Sequence, residues 1–221
     1  MGTIFRNVLI GIIVTGWLTA GQASAGVLLY TNSAPFDAAS TRSVSSDFEG
    51  LTSTSLHGDP LIVDGVSYQS TNGVYVCVVC VGYPFDSAVL GTVVGDPLTI
   101  DVSGLGFDVT AIGGIFGDLD SGPSSATIYA YGAGNALLAS FAVTVLDMGA
   151  GSAHSFFGFT TTGGDVITRL VFDMTGPYES VDNMQFGTVS PTPLPAALPL
   201  FLTMLGGMGL LKWRRGKRQA A

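Results

Sequence analysis

Apolar and polar residues alternate with a period of two through most of the middle of the chain. In Leu98-Thr-Ile-Asp-Val-Ser103 the residues Leu98, Ile100 and Val102 fall on one face and Thr99, Asp101 and Ser103 on the other, which is the pattern of a half-buried strand. The same period recurs in Ala126 to Tyr131 and in Leu137 to Leu146, where Leu137, Ala139, Phe141, Val143 and Val145 share a face. From Val166 to Met174 it turns Val166, Leu170, Phe172 and Met174 inward and Arg169 and Asp173 outward. Further strands are expected at Val44 to Phe48, Ile62 to Gln69, Val109 to Phe116, Phe156 to Thr160 and Val181 to Phe186. Turn residues separate them at Asp64-Gly65, Asn72-Gly73, Gly95-Asp96-Pro97, Gly132 to Asn135, Gly163-Gly164 and Gly176-Pro177. Helical periodicity is confined to Pro35 to Ser40, a short helix that Ser33 would cap and Phe36 would pack. Many short strands without crossover helices predict an all-β fold, an antiparallel, jelly-roll-like β-sandwich of eight or more strands with one short N-terminal helix; a closed barrel is the alternative.

Both ends break this pattern. Arg6 precedes an apolar run from Val8 to Ala20, and Ala23-Ser24-Ala25 has the small residues that signal peptidase reads, so residues 1–25 are expected to be a cleaved signal peptide. At the other end an uncharged run of about 18 residues, Leu194 to Leu211, is long enough for a transmembrane helix. The basic tail 212–221 that follows, with Arg214 and Arg215 at its centre, would hold that end in the cytoplasm. Between them lies one extracytoplasmic domain, 26–190, with the membrane-directed segment at 191–221.

Charge sharpens the division. All sixteen carboxylates lie in the exported domain against two cations, Arg42 and Arg169, which leaves a formal net charge of −14. Such a surface repels nucleic acid and suits divalent cations. Cys77 and Cys80, in an oxidising compartment, are expected to close a small disulfide loop. The β-branched Val76, Val78, Val79 and Val81 around them oppose the helix that a thioredoxin-like Cys-x-x-Cys requires.

The tail, with Pro193-Leu194-Pro195-Ala196 ahead of the apolar run, Gly206, Gly207 and Gly209 within it and the Arg-rich end after it, resembles the PEP-CTERM sorting signals, most closely their VPLPA-CTERM variant, with Thr192 in place of the first Val. The resemblance implies a Gram-negative protein exported by the general secretory route. It would be anchored in the inner membrane as a precursor, read there by an exosortase, and released to the cell surface or outside, where exopolysaccharide is the expected partner. A single-pass anchor that is never processed is the competing reading.

No catalytic constellation is apparent. His57 and His154 are the available neutral-pH bases and neither sits in a motif that aims it at a nucleophile; His154 falls in a Gly-rich stretch that reads as a turn. Two acidic groupings are candidates for calcium. One is Asp118 and Asp120 in Phe116 to Pro123, for which an ordinary polar turn is the alternative. The other arises because Asp47 to Gly50 and Tyr178 to Phe186 resemble the first and last strands of carbohydrate-binding-module-like jelly rolls. That resemblance implies a structural calcium held by Glu49 and Asp182, with Asn183 as helper. Tyr129 and Tyr131 share a strand face on which sugar rings could stack, with packing in the core or on the sheet surface as the alternative. The expected function is a non-enzymatic, surface-sorted protein of the extracellular matrix or envelope. The alternatives are a calcium-stabilised carbohydrate-binding module and, behind it, an extracellular hydrolase.

Overall fold

The computed structural model describes residues 26–51, 56–57, 60–78, 88–92, 96–118, 123–146, 153–176 and 178–191. The expected signal cleavage site at Ala23 and Ala25, the sorting motif Pro193 to Ala196, Arg214, Arg215, Cys80 and Asp120 lie outside these residues. Among the described residues no helix is long and apolar enough to cross a membrane.

Among the described residues one α-helix, one short 3-10 turn at Ala133–Asn135 and fourteen strands follow one another: β1 Gly26–Tyr30, α1 Ser33–Ala39, β2 Ser40–Ser46, β3 Leu56–His57, β4 Leu61–Val63, β5 Val66–Gln69, β6 Val74–Cys77, β7 Val89–Thr92, β8 Leu98–Asp101, β9 Ala111–Asp118, β10 Ser124–Tyr131, β11 Leu137–Val145, β12 Ala153–Thr162, β13 Arg169–Met174 and β14 Glu179–Val189. They form two sheets in which every pairing is antiparallel. The eight-stranded sheet runs β1-β12-β9-β14-β7-β6-β3 with β2 also on β14, and the six-stranded sheet runs β11-β10-β13-β8-β5-β4. The expected sandwich is therefore the observed one.

Its core is the inward half of each alternation. Leu98 and Ile100 on β8, Ile128 on β10 and Leu170 and Phe172 on β13 are fully buried from one side, and Ile112 and Phe116 on β9, Phe159 on β12 and Phe186 on β14 from the other. Phe116 joins the layers, with its ring centroid 5.1 Å from that of Phe172 across the sandwich and 5.9 Å from that of Phe157 beside it.

Several local expectations shift. The helix begins at Ser33, with Asn32 at the N-cap position and no side-chain cap hydrogen bond. Phe36 is buried as expected, because it lies over a slot in the outer side of the eight-stranded sheet where Gly158 and Gly113 face each other in register. The run Ile62 to Gln69 is two strands, folded back at Asp64 and Gly65, both of which take the positive φ of a tight hairpin turn. A register shift between Ala130 and Tyr131 sets Leu137 opposite Tyr131, and Leu137 is left exposed while Leu138 packs on the core instead. One extra residue reverses the faces of everything beyond it. Val166 likewise gives way to Ile167, which is buried and donates its N–H to Val109 C=O at 2.8 Å.

Candidate functional site

The outer sides of the two sheets differ in what lies on them. On the eight-stranded sheet α1 is seated over β9 and β12, with Phe36 against Phe156 and Tyr30 at ring centroid distances of 5.6 and 5.9 Å. On the six-stranded sheet the outward residues form rows that cross the strands, and cross-strand register fixes their membership. One row reads Leu137, Tyr131, Arg169, Asp101, Ser67 and Ile62 from β11 to β4. The next reads Ser140, Tyr129, Val171, Thr99 and Gln69. Behind them Ala142, Thr127 and Asp173 stand abreast, at the mouth of a groove of about 320 Å³ that Ser125, Thr144 and Thr175 also line. Six strands at a spacing of about 4.8 Å make each full row roughly 24 Å long.

Tyr129 and Tyr131 are half-buried, and their rings lie 6.4 Å apart at 30°. The guanidinium of Arg169 sits 4.3 Å from the centre of the Tyr131 ring, a cation–π contact that fixes both side chains. Arg169 and Asp173 point outward, as the alternation of β13 requires. Periodicity put both Tyr129 and Tyr131 on one face. It gave no indication that Arg169, Asp101, Thr99 and Gln69 would join them, since those residues come from three other strands.

The acidic candidates are placed differently. Asp118, a candidate calcium ligand in the sequence with an ordinary polar turn as the alternative, ends β9 and is buried on the same inward side as Phe116. It stands directly opposite Glu179 on β14, also buried, so two carboxylates share one end of the sandwich interior. Ser124 Oγ donates to Asp118 Oδ2, and a side chain at Gly176 would collide with that oxygen. Thr92 Oγ1 donates to Glu179 Oε2 at 2.5 Å and the Met174 N–H to Oε1 at 3.3 Å. Burial pushes the Glu179 carboxyl above its ordinary pKa, and those donated hydrogen bonds act the other way. Glu179 was not singled out in the sequence, where it is one more acidic residue at a strand start.

Asp182 is buried on the opposite, outer side of the sheet, facing Ile115 at a bulge where Asn183 takes a φ of 48°. Its carboxylate accepts the Asn183 N–H at 2.6 Å and Nδ2–H at 2.9 Å. Glu49 Oε1 accepts the Ala88 N–H at 2.8 Å. Ser46 of β2 pairs with Met184 and Leu90 of β7 with Val181, so the chain around Glu49 and around Ala88 approaches the bulge from the same edge of β14. The first and last long strands are neighbours, and Asn183 serves Asp182. Among the described residues no three His, Cys, Asp or Glu side chains are grouped for a metal ion.

Cys77 ends β6 and is disulfide-bonded. His154 lies within β12 opposite Gly117, in a strand and not in the turn expected for it, and burial lowers its pKa. His57 lies on β3, and its side chain is outside the described residues. A second groove, of about 520 Å³, opens between α1, β1 and the end of β14 against Leu28, Tyr30, Ala38, Thr160 and Pro191.

No family model matches the chain, and no curated protein matches it. Among solved structures the fold is similar to the CBM22-1 xylan-binding domain of Xyn10C from Paenibacillus barcinonensis, at 16% identity and a TM-score of 0.44 over 70% of this chain and 98% of that one. It is similar also to a family 6 carbohydrate-binding module, at 19% identity and a TM-score of 0.33 over 56% of this chain and 87% of that one. A third likeness is to the enzymatically active domain of bacteriophage CBA120 tailspike protein 4, at 12% identity and a TM-score of 0.34 over 57% of this chain and 20% of that one. Likenesses this distant name neither a ligand nor an activity for this chain.

Proposed function

We propose that residues 26–190 form a non-catalytic carbohydrate-binding domain, exported and sorted to the cell surface through its C-terminal signal, where it engages polysaccharide of the matrix or envelope. The observation that carries this reading is the outer face of the six-stranded sheet, where two tyrosines stand in rows of Arg, Asp, Gln, Ser and Thr side chains with no described element packed over them. Apolar ring faces beside dense donors and acceptors match a sugar, which has C–H faces and a hydroxyl edge. The buried carboxylate pair Asp118 and Glu179 supports a binding role over hydrolysis, because both groups face the sandwich interior and not a cleft that a glycan enters.

Glycan-array and calorimetric titration of the full chain in mild detergent is expected to find polysaccharide binding. Tyr129→Ala with Tyr131→Ala should weaken it about 30-fold or more, corresponding to the ~2 kcal/mol of an aromatic hot spot, with the melting temperature little changed. Binding that survives both substitutions would move the ligand to the groove beside α1.

The reading includes a structural calcium near the Asp182 bulge, shared with Glu49. An ion there would tie the strand before Glu49 to the last strand, and at about one hundred times its dissociation constant it would add roughly 2.7 kcal/mol to the unfolding free energy. The measurement is the melting temperature with calcium and with chelator; indifference to both removes the ion, and a response lost in Asp118→Ala but kept in Glu49→Gln moves it to the other candidate.

A further inference from the structure

We propose that Arg169 and Asp101 act together as a reader of two adjacent sugar hydroxyls, and so make the six-stranded face selective for neutral over acidic glycans; this rests on the carbohydrate-binding reading above. The two residues stand directly opposite each other on β13 and β8, on the outward side. Opposite charges so placed ordinarily pair. Here they do not: the ion pair found among the described residues is Arg42 with Asp37, at 4.0 Å. Each partner is held by something else. Asp101 Oδ1 accepts the Ser103 N–H at 2.9 Å and Oγ–H at 2.5 Å, which orients the carboxylate and leaves Oδ2 as an acceptor. The Arg169 guanidinium is drawn onto the Tyr131 ring, and its buried Nε–H has no acceptor.

A donor fork and a free acceptor oxygen are thus set side by side on adjacent strands, next to an aromatic ring. A hydroxyl both donates and accepts, so neighbouring hydroxyls on one sugar satisfy the pair at once: Arg169 donates to one oxygen while the other O–H donates to Asp101 Oδ2. A uronate fits this arrangement badly. Its carboxylate would gain Arg169 but lie against Asp101, with Asp173 on the same face and a formal charge of −14 behind them.

The test is calorimetric titration of the full chain in mild detergent with cellohexaose, xylohexaose and mannohexaose as neutral probes and hexagalacturonate as the acidic one, at low and at physiological salt. At least one neutral hexasaccharide is expected to bind, with hexagalacturonate at least ten-fold weaker at low salt. Asp101→Asn and Arg169→Gln should each weaken the neutral ligand about ten-fold, as loss of a charge-assisted hydrogen bond does, and the double substitution should fall short of the product because both act on one diol. Arg169→Lys, which keeps the charge and loses the fork, should weaken it too, and thermal melts of Asp101→Asn, which removes no packing, guard against reading misfolding as lost affinity. Tighter binding of hexagalacturonate than of every neutral probe, or neutral binding lost in Tyr129→Ala but unchanged in Asp101→Asn and Arg169→Gln, would overturn the proposal and leave the sugar-binding face standing. Binding of none of the four probes by the folded wild-type chain would overturn the carbohydrate reading itself.

Discussion

Phe116→Ala should lower the unfolding free energy by about 3–5 kcal/mol, the cost of truncating a buried phenylalanine that the surroundings cannot refill. Phe116 is completely buried and touches both layers: Phe157 and Phe159 lie beside it on β12, and Phe172 lies across from it on β13 with the ring planes at 71°. Removing it opens a void between sheets that are pinned by their own ladders. Domains of this size are stable by only about 5–15 kcal/mol, so a large share of the total is at stake. Urea unfolding of the full chain, followed by near-UV circular dichroism, gives the value. Leu137→Ala, at a side chain 56% exposed, should change it by less than about 0.5 kcal/mol. Similar effects for the two substitutions would mean that the layers do not meet at Phe116.

The second large effect is expected where α1 meets the sheet. Phe36→Ala should cost about 3 kcal/mol, because the ring is 2% exposed and lies over Gly113 and Gly158 with Tyr30 and Phe156 at its edges. Gly158→Ala should cost about 1–3 kcal/mol for the opposite reason, since a Cβ there would lie 2.5 Å from a carbon of that ring. The two are coupled. Once Phe36 is alanine, the slot has room for the new methyl group, so Gly158→Ala in that background should be close to neutral. A double-mutant cycle with a coupling of at least about 1 kcal/mol is the expected result, and simple additivity would show that the helix is not seated on the glycine pair.

The two substitutions also separate the roles of the two outer faces. The helix covers the eight-stranded sheet with an aromatic plug, so that face contributes stability. The six-stranded face, which no described element covers, keeps Tyr129, Tyr131, Arg169 and Asp101 available to a ligand. Loosening α1 should therefore lower stability and leave the proposed glycan affinity of the tyrosine face unchanged.

The sequence alone determined which residues look inward along each strand, because a period of two is a local property that neighbouring residues set for themselves. Leu98 and Ile100, Ala126, Ile128 and Ala130, and Leu170, Phe172 and Met174 are all buried as their alternation requires, and the glycines and Asp64 mark turns where positive φ is needed. It determined too that the layers of the domain would be β-sheets, since within residues 26–190 no segment but the one around Phe36 has a helical pattern. What it left open is who stands beside whom. The row that places Tyr131 next to Arg169, and Arg169 opposite Asp101, is drawn from strands far apart in the chain, and the bulge after Ala130 decides that Leu137 and not Leu138 joins it. The burial of Asp118 against Glu179, and the reversal of Leu137, follow from the same pairings. Strand register is fixed by contacts between distant segments and shifts every side chain when it slips by one residue, so only the folded sheet decides it.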